Sequence, residues 1–190
     1  MTNRNDTDRV SQTLTDGVVT LRPWETGDAP AIFAAIEESR AALQQWLPGA
    51  GDVTHIDEVR SYIAATTELR NSGASYDYVI VDARSGDVLG GCGLTQINRN
   101  HRFCNLYYWV RTSRARQGIA RRAIKLAARF GLEGVGLTRV EIVVQPENIA
   151  SLRAAEKAGA RREGVLRNRL TIHDQARDAV MFSLIPADFA

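Results

Sequence analysis

Three successive segments of the chain alternate with period two, and the pattern then switches to a helical period. Residues 76–83, 88–96 and 103–110 read as strands, separated by Arg84-Ser85-Gly86-Asp87 and a turn-like Asn98-Arg99-Asn100-His101. After a junction over residues 111–120, Ile119, Ala123, Leu126 and Phe130 form one apolar stripe, widened by Ala120, Ile124 and Ala127. Arg122, Lys125 and Arg129 fall on another face, and Gly131, Gly134 and Gly136 end the helix. A sheet followed at once by an amphipathic helix demands a layered α/β packing.

The flanking segments extend that layer. Residues 18–23 alternate like a strand that stops at Pro23. Asp28 is expected to cap a helix carrying Ile32, Phe33 and Ile36, with a second helical piece at Leu43, Trp46 and Leu47 before Pro48-Gly49. Thr54 and Asp57 have capping-box spacing ahead of a helix with Val59, Tyr62, Ile63 and Leu69. Residues 137–144 read as a short apolar strand. Asn148 caps a helix that stops at Gly159. Residues 160–167 and 179–184 read as strands joined by a polar loop. The expected organisation is a mobile tail over residues 1–16 and one domain over 17–190.

Two cysteines, Cys92 and Cys104, are too few for a disulfide scaffold or a four-ligand zinc site. With the turn centred between Arg99 and Asn100, Cys92 would face Tyr107 and Cys104 would face Thr95, so reduced buried thiols and a cytoplasmic location are expected. No apolar stretch is long enough to span a membrane, and the polar start does not read as a secretory signal.

The net charge of +2 hides an asymmetry. Residues 1–87 carry 14 acidic against 7 basic side chains, and residues 88–190 carry 8 against 17. No Asp or Glu occurs from residue 88 to 132, a window holding eight arginines and Lys125. Such a field attracts an anion. Within it, Gln117-Gly118-Ile119-Ala120 opens the helix. A helix start presents main-chain N–H groups and partial positive charge, and small residues let a phosphate approach the backbone. Together these features favour a diphosphate ligand. The segment is not a Walker loop, lacking its Lys-Ser/Thr. Gly90-Gly91-Cys92-Gly93 opens no helix and reads as close backbone approach or a bulge. Nucleic acid is disfavoured because the basic run lacks interleaved aromatics.

The chain resembles the GNAT N-acetyltransferases, and within them the branch of ribosomal-protein N-terminal acetyltransferases typified by RimJ and RimL. The resemblance covers about residues 17–185. It is carried, in family order, by Leu21-Arg22-Pro23 with Asp28, Leu43-Gln44-Gln45-Trp46-Leu47-Pro48, Leu89-Gly90 with Gly93-Leu94, Tyr108-Trp109-Val110, and Gln117-Gly118-Ile119-Ala120. Arg139-Val140-Glu141, Asn148 with Ser151, Lys157 with Gly159, and Glu163-Gly164 complete it.

That resemblance implies a mixed, mostly antiparallel sheet flanked by helices and splayed at an acetyl-CoA site, with no metal. It implies that the main chain of Arg116, Gln117, Gly118, Ile119, Ala120 and Arg121 grips the pyrophosphate. The strand end Trp109-Val110-Arg111 would pair with the pantetheine arm. Ala115 stands where the family usually has Gln or Arg. Ser151 aligns with the serine that returns a proton to the leaving thiolate, and Asn148 with its neighbouring asparagine. The residues themselves leave open a plainer reading, in which Asn148 caps the helix and Ser151 sits in its first turn.

The usual basic glutamates are replaced by Asn105 and Leu170. Glu141, Tyr107, His101, His173 and Asp174 remain candidates for the base, Glu141 equally as a structural salt bridge. Trp46 and Leu47 fall where the family binds its acceptor, and also suit lid packing. The expected activity is acetyl transfer from acetyl-CoA to a primary amine, either a protein N-terminus such as a ribosomal protein's or a small molecule. The missing glutamates keep a second expectation, a non-catalytic acyl-CoA-binding module. Homodimers are frequent in the resembling branch, and neither a membrane nor a nucleic-acid partner is expected.

Overall fold

A computed structural model describes residues 12–189. Eight strands form one sheet: β1 (Leu14–Thr15), β2 (Val19–Pro23), β3 (Tyr76–Asp82), β4 (Val88–Asn98), β5 (Phe103–Val110), β6 (Arg139–Val144), β7 (Arg161–Ile172) and β8 (Gln175–Leu184). Their order is β1-β2-β3-β4-β5-β6-β8-β7. Four helices cover it: α1 (Ala29–Trp46), α2 (Ile56–Ser72), α3 (Ile119–Arg129) and α4 (Ile149–Lys157). A helical turn, Pro48–Gly51, separates α1 from α2.

All neighbouring strands are antiparallel except β5 and β6, which run parallel and pair only through Phe103–Arg139, Cys104–Val140 and Asn105–Glu141. A parallel pair needs a crossover, and α3 supplies it. Beyond Asn105 the two strands diverge. This is the expected splay in a mixed, mostly antiparallel sheet.

The alternation of β5 divides the core in two. Cys104 and Leu106 are buried with Ile119, Ala123, Ile124 and Ala127 of α3, and Tyr108 and Val110 pack on the same cluster. Trp109 is buried with Ile32, Ile36, Val59 and Ile63 of α1 and α2, where Tyr107 also packs. Even-numbered residues of β5 therefore face α3 and α4, and odd-numbered ones face α1 and α2.

Several local expectations are corrected. The helical pieces around Ile32 and Trp46 are one helix, α1, because no breaker interrupts the apolar spacing before Pro48. Asp28 occupies its N-terminal position, but its carboxylate is spent on Arg22 at 2.6 and 2.7 Å and on the Glu25 N–H. The α2 cap lies at His55 rather than Thr54. Glu58, not Asp57, reaches back to the His55 N–H at 2.8 Å.

The polar loop expected between residues 167 and 179 is instead strand. β7 and β8 run on to a two-residue turn at His173 and Asp174, both with positive φ (48° and 59°), as a tight hairpin turn requires. Exposure of that arm hid its period. Cys92 lies opposite Tyr108 rather than Tyr107, and Thr95 opposite Asn105 rather than Cys104. The turn is centred between Asn100 and His101, with Asn98 opposite Phe103, and a bulge between Thr95 and Asn98, with Gln96 at φ 53°, takes back one of the two residues of that shift. The cysteines remain apart, free and buried.

The expected strand at 137–144 begins at Arg139. The helix ended by Gly131, Gly134 and Gly136 finishes in a wider turn, Phe130–Gly134, closed by a Val135 N–H to Phe130 carbonyl bond of 2.9 Å. Most of the tail expected over residues 1–16 lies outside the described residues. Within its end, Leu14 and Thr15 pair with Leu21 and Thr20, and Asp16 binds Arg122 at 2.6 Å.

Candidate active site

The splay between β5 and β6 leaves main-chain groups without a neighbouring strand. The Arg111 N–H donates to Leu89 of β4 at 2.8 Å. Main-chain groups of successive strand residues turn to opposite edges, so those of Trp109 also face β4, and those of Tyr108 and Val110 face the gap. Of the expected trio, Val110 offers its backbone to the gap, and the Trp109 and Arg111 main chains are committed to the sheet. Gly90 makes this close pairing workable. Its φ is 153°, and a Cβ there would collide with the Trp109 carbonyl oxygen.

The loop from Arg111 leads into α3 at Gly118, which sits at φ 77° as the helix N-cap. No atom lies within 4 Å of where a Gly118 Cβ would stand. Arg116, also left-handed at φ 63°, precedes it, and Gln117 is exposed. The N–H groups of the first helical turn have no acceptor within the helix. The sequence puts a left-handed residue here because the chain must reverse from the end of β5 into a helix packed on the same sheet face. Among the described residues, Arg116, Arg121 and Lys125 enter no ion pair, whereas Arg122 is held by Asp16 and Arg114 by Asp87.

Glu38 of α1 fastens this loop to the opposite helix layer. It accepts from Arg111 Nε at 2.9 Å and from the Ser113 N–H at 2.6 Å, and pairs with the Arg111 Nη2 group. The Arg111 bond is the main cause that pulls the Glu38 carboxyl down to about 2. The next residue, Ser39, accepts from the Thr112 N–H at 3.0 Å.

Ser151 and Asn148 come together at the start of α4. The Asn148 side chain accepts from the Ser151 N–H at 3.0 Å, the geometry of an N-cap. The Ser151 hydroxyl lies 2.7 Å from the hydroxyl of Tyr108, which reaches across from β5. This pair spans the splay, because α4 follows β6. Burial pushes the Tyr108 phenol up to about 12, so it stays protonated. Tyr108 is not among the site residues expected from the sequence, although its alternation with Leu106 and Val110 points it toward the helix layer.

The remaining candidates are scattered. Glu141 lies in register with Asn105 and Ser183, and Arg139 holds it at 2.8 Å. The same guanidinium binds both oxygens of Glu163 at 2.5 and 2.8 Å, and Ser183 donates to Glu163 at 2.7 Å. Glu141 is thus one member of an ion-pair cluster. Asn105 has a buried side-chain oxygen without a protein partner. His101 sits in the turn before β5, at the opposite end from the gap. His173 and Asp174 form the tip of the β7–β8 hairpin, where His173 Nε2 lies 3.2 Å from the Gln44 carbonyl of α1. That contact brings the hairpin tip to the end of α1, beside Trp46 and Leu47. Both are half-buried, and Leu47 packs on the cluster between α1 and α2. Leu170 lies on β7, opposite Arg177.

A sequence profile of the acetyltransferase (GNAT) domain matches residues 19–161. The chain belongs to the GNAT acetyltransferase family. This GNAT chain is similar to the uncharacterized N-acetyltransferase p20 of Bacillus licheniformis, with 24% identity over 94% of this chain and 99% of that protein. It is 30% identical to the spermidine N(1)-acetyltransferase of Escherichia coli K12, covering 85% and 83%. Its fold superposes on Mycobacterium smegmatis RimJ in complex with CoA-disulfide, with a TM-score of 0.83, 25% identity, and 94% and 88% of the two chains covered. Among the described residues, no helix of the GNAT chain is long and apolar enough to cross a membrane.

Proposed function

We propose that the chain transfers an acetyl group from acetyl-CoA to a primary amine by direct attack on the thioester. One observation carries this reading: the N-terminus of α3, at Gly118, opens beside the gap between β5 and β6. The residues present fit the coenzyme. A cradle without a Cβ stands at the helix start, three nearby cations have no acidic partner among the described residues, and the main chains of Tyr108 and Val110 border the gap. Bound there, acetyl-CoA supplies the activated acetyl group.

In this reading, the main-chain N–H groups of residues 116–121 hold the diphosphate, with Arg116, Arg121 and Lys125 adding positive field. The Val110 main chain orients the acyl carbonyl, and Trp109 and Arg111 keep that strand against β4. The Tyr108–Ser151 hydroxyl pair delivers a proton to the departing sulfur, and the proton the amine sheds passes to water at the open end of the gap, from which the pair is reprotonated. Asn148 positions Ser151 by capping its helix. The open end of the gap, bounded by Trp46, Leu47 and the hairpin tip, admits the amine. The similarity to RimJ supports a protein N-terminus as acceptor, with a ribosomal protein among the choices. The similarity to the spermidine acetyltransferase supports a polyamine. Two buried free thiols accord with a cytoplasmic setting.

The test is a thiol-release screen of ribosomal-protein N-terminal peptides, polyamines and aminoglycosides, run beside calorimetry with coenzyme A. Turnover on one class identifies the acceptor. Absence of binding heat at millimolar coenzyme A would overturn the assignment. Because Asn105 and Leu170 replace carboxylates and Glu141 is held by Arg139, a second reading is an acyl-CoA-binding module. It requires coenzyme binding without turnover on any amine.

A further inference from the structure

A second hydroxyl cluster lies on the other face of β5 and takes no part in the proton delivery described above. Asp77 of β3 is 3% exposed. Its Oδ1 accepts from the Tyr107 hydroxyl at 2.6 Å and from the Tyr62 hydroxyl at 3.1 Å, and its Oδ2 accepts from Ser75 at 2.6 Å. The two phenolic oxygens are 2.9 Å apart. Asp77, Gly93 and Tyr107 stand in line across three strands. A Cβ on Gly93 would lie 2.7 Å from both the Asp77 oxygen and the Tyr107 ring, so the bare glycine lets the phenol reach the carboxylate.

A phenol has one proton to donate. The Tyr107 proton is committed to Asp77, and the Tyr62 proton goes to Asp77 or to Tyr107. Neither is left to point outward, so the outward side of the pair offers lone pairs only. A surface that only accepts hydrogen bonds matches a group that only donates them, and an ammonium is such a group. The pair opens to solvent on its Tyr62 side, where Tyr62 is 43% exposed, while Tyr107 is half-buried and Asp77 beneath them is buried. Trp24 braces the Tyr62 ring edge to face, with centroids 5.6 Å apart. Glu58, one helical turn before Tyr62, adds negative charge on the same side of α2. Arg70 lies on the inner side, where it donates to the Asp77 main-chain carbonyl and stacks on the Tyr78 ring.

We propose that Tyr62 and Tyr107 form the receptor for the cationic amine of the acceptor, their oxygens taking hydrogen bonds from an alkylammonium. The proposal rests on the acetyltransferase reading and names the substrate chemistry on the acceptor face of the sheet. Tyr107 and Tyr108, adjacent in sequence, then serve opposite faces: one meets the incoming amine and the other the departing thiol.

The experiment is carbon NMR of the full chain carrying 13Cζ-tyrosine, with and without coenzyme A. Five tyrosines are present, assigned by single Tyr→Phe variants. Spermidine is titrated as a cationic probe and 1,8-octanediol as an uncharged one. The expected result is a saturable shift of the Tyr62 and Tyr107 signals with spermidine and none with the diol. Tyr62→Phe, which keeps the exposed ring, is expected to raise the spermidine midpoint at least tenfold. An equal response to both probes, no response to spermidine, or an unchanged midpoint in Tyr62→Phe would overturn the proposal. Calorimetry with coenzyme A on the same samples reports separately on the acetyltransferase reading.

Discussion

Glu38 and Arg111, 73 residues apart in sequence, tie α1 to the loop that leads into α3. The carboxylate also holds the Ser113 N–H, so α1 carries part of that loop's shape. Hydrogen bonds to charged groups contribute about 1.5–3 kcal/mol each. Glu38→Ala is expected to weaken coenzyme A binding about tenfold in calorimetry, through a loop that no longer holds its conformation. An unchanged Kd would show that the tie is incidental to the loop.

The same carboxylate governs acid stability. Glu38 is held down to about 2 chiefly by Arg111, and Glu163 to about 2 chiefly by Arg139. A folded-state value below the ordinary 4.5 stabilises the fold fully above that pH. The contribution drains away as pH falls toward 2. The urea midpoint should therefore stay nearly level from pH 7 to about 5 and fall steeply below 4.5. In Glu38→Gln the fall should be shallower. A midpoint in that variant that tracks the parent through the acid range would refute the assignment.

Gly118 separates folding from binding. An alanine there meets no atom within 4 Å but must adopt φ 77°. The strain costs about 1–2 kcal/mol. A methyl at the mouth of the helix should obstruct a phosphate more than it disturbs the fold. Gly118→Ala is expected to lose a few degrees in Tm while its coenzyme A affinity falls more than about tenfold. Retained affinity would place the diphosphate elsewhere.

As the proposed proton donor, the Tyr108–Ser151 pair makes a kinetic prediction. Removing a general acid typically lowers turnover about 10²-fold or more. Ser151→Ala and Tyr108→Phe should each reduce kcat by about that order with little change in coenzyme A Kd. The double variant should be scarcely slower than either single one, because the two hydroxyls act as a unit. Multiplicative losses would mean separate roles.

Much of this layout was legible in the chain itself. Period two in β3, β4 and β5 and the stripe from Ile119 to Phe130 are driven by burial on one face, and burial is what hydropathy records. Gly118 was equally visible, since a sharp strand-to-helix reversal needs a residue tolerant of positive φ. The far half of the β7–β8 arm was not, because both its faces meet water and its residues carry no apolar alternation. Long-range partners left no trace either. Nothing near Glu38 or Asp77 announces Arg111 or Tyr107, which meet them only through sheet register and helix docking. The one-residue bulge after Thr95 shows how little it takes to move a cysteine's neighbour.

The short seam between β5 and β6 has a thermodynamic corollary. Three paired positions join the two halves of the sheet, and past Asn105 the rungs of the ladder are missing. Any molecule that lies in that opening and bonds to the exposed edge of β5 becomes a surrogate strand. By mass action it then raises the unfolding temperature with the logarithm of its concentration. Heat resistance would in that case follow the supply of the small molecule as closely as it follows the protein's own packing.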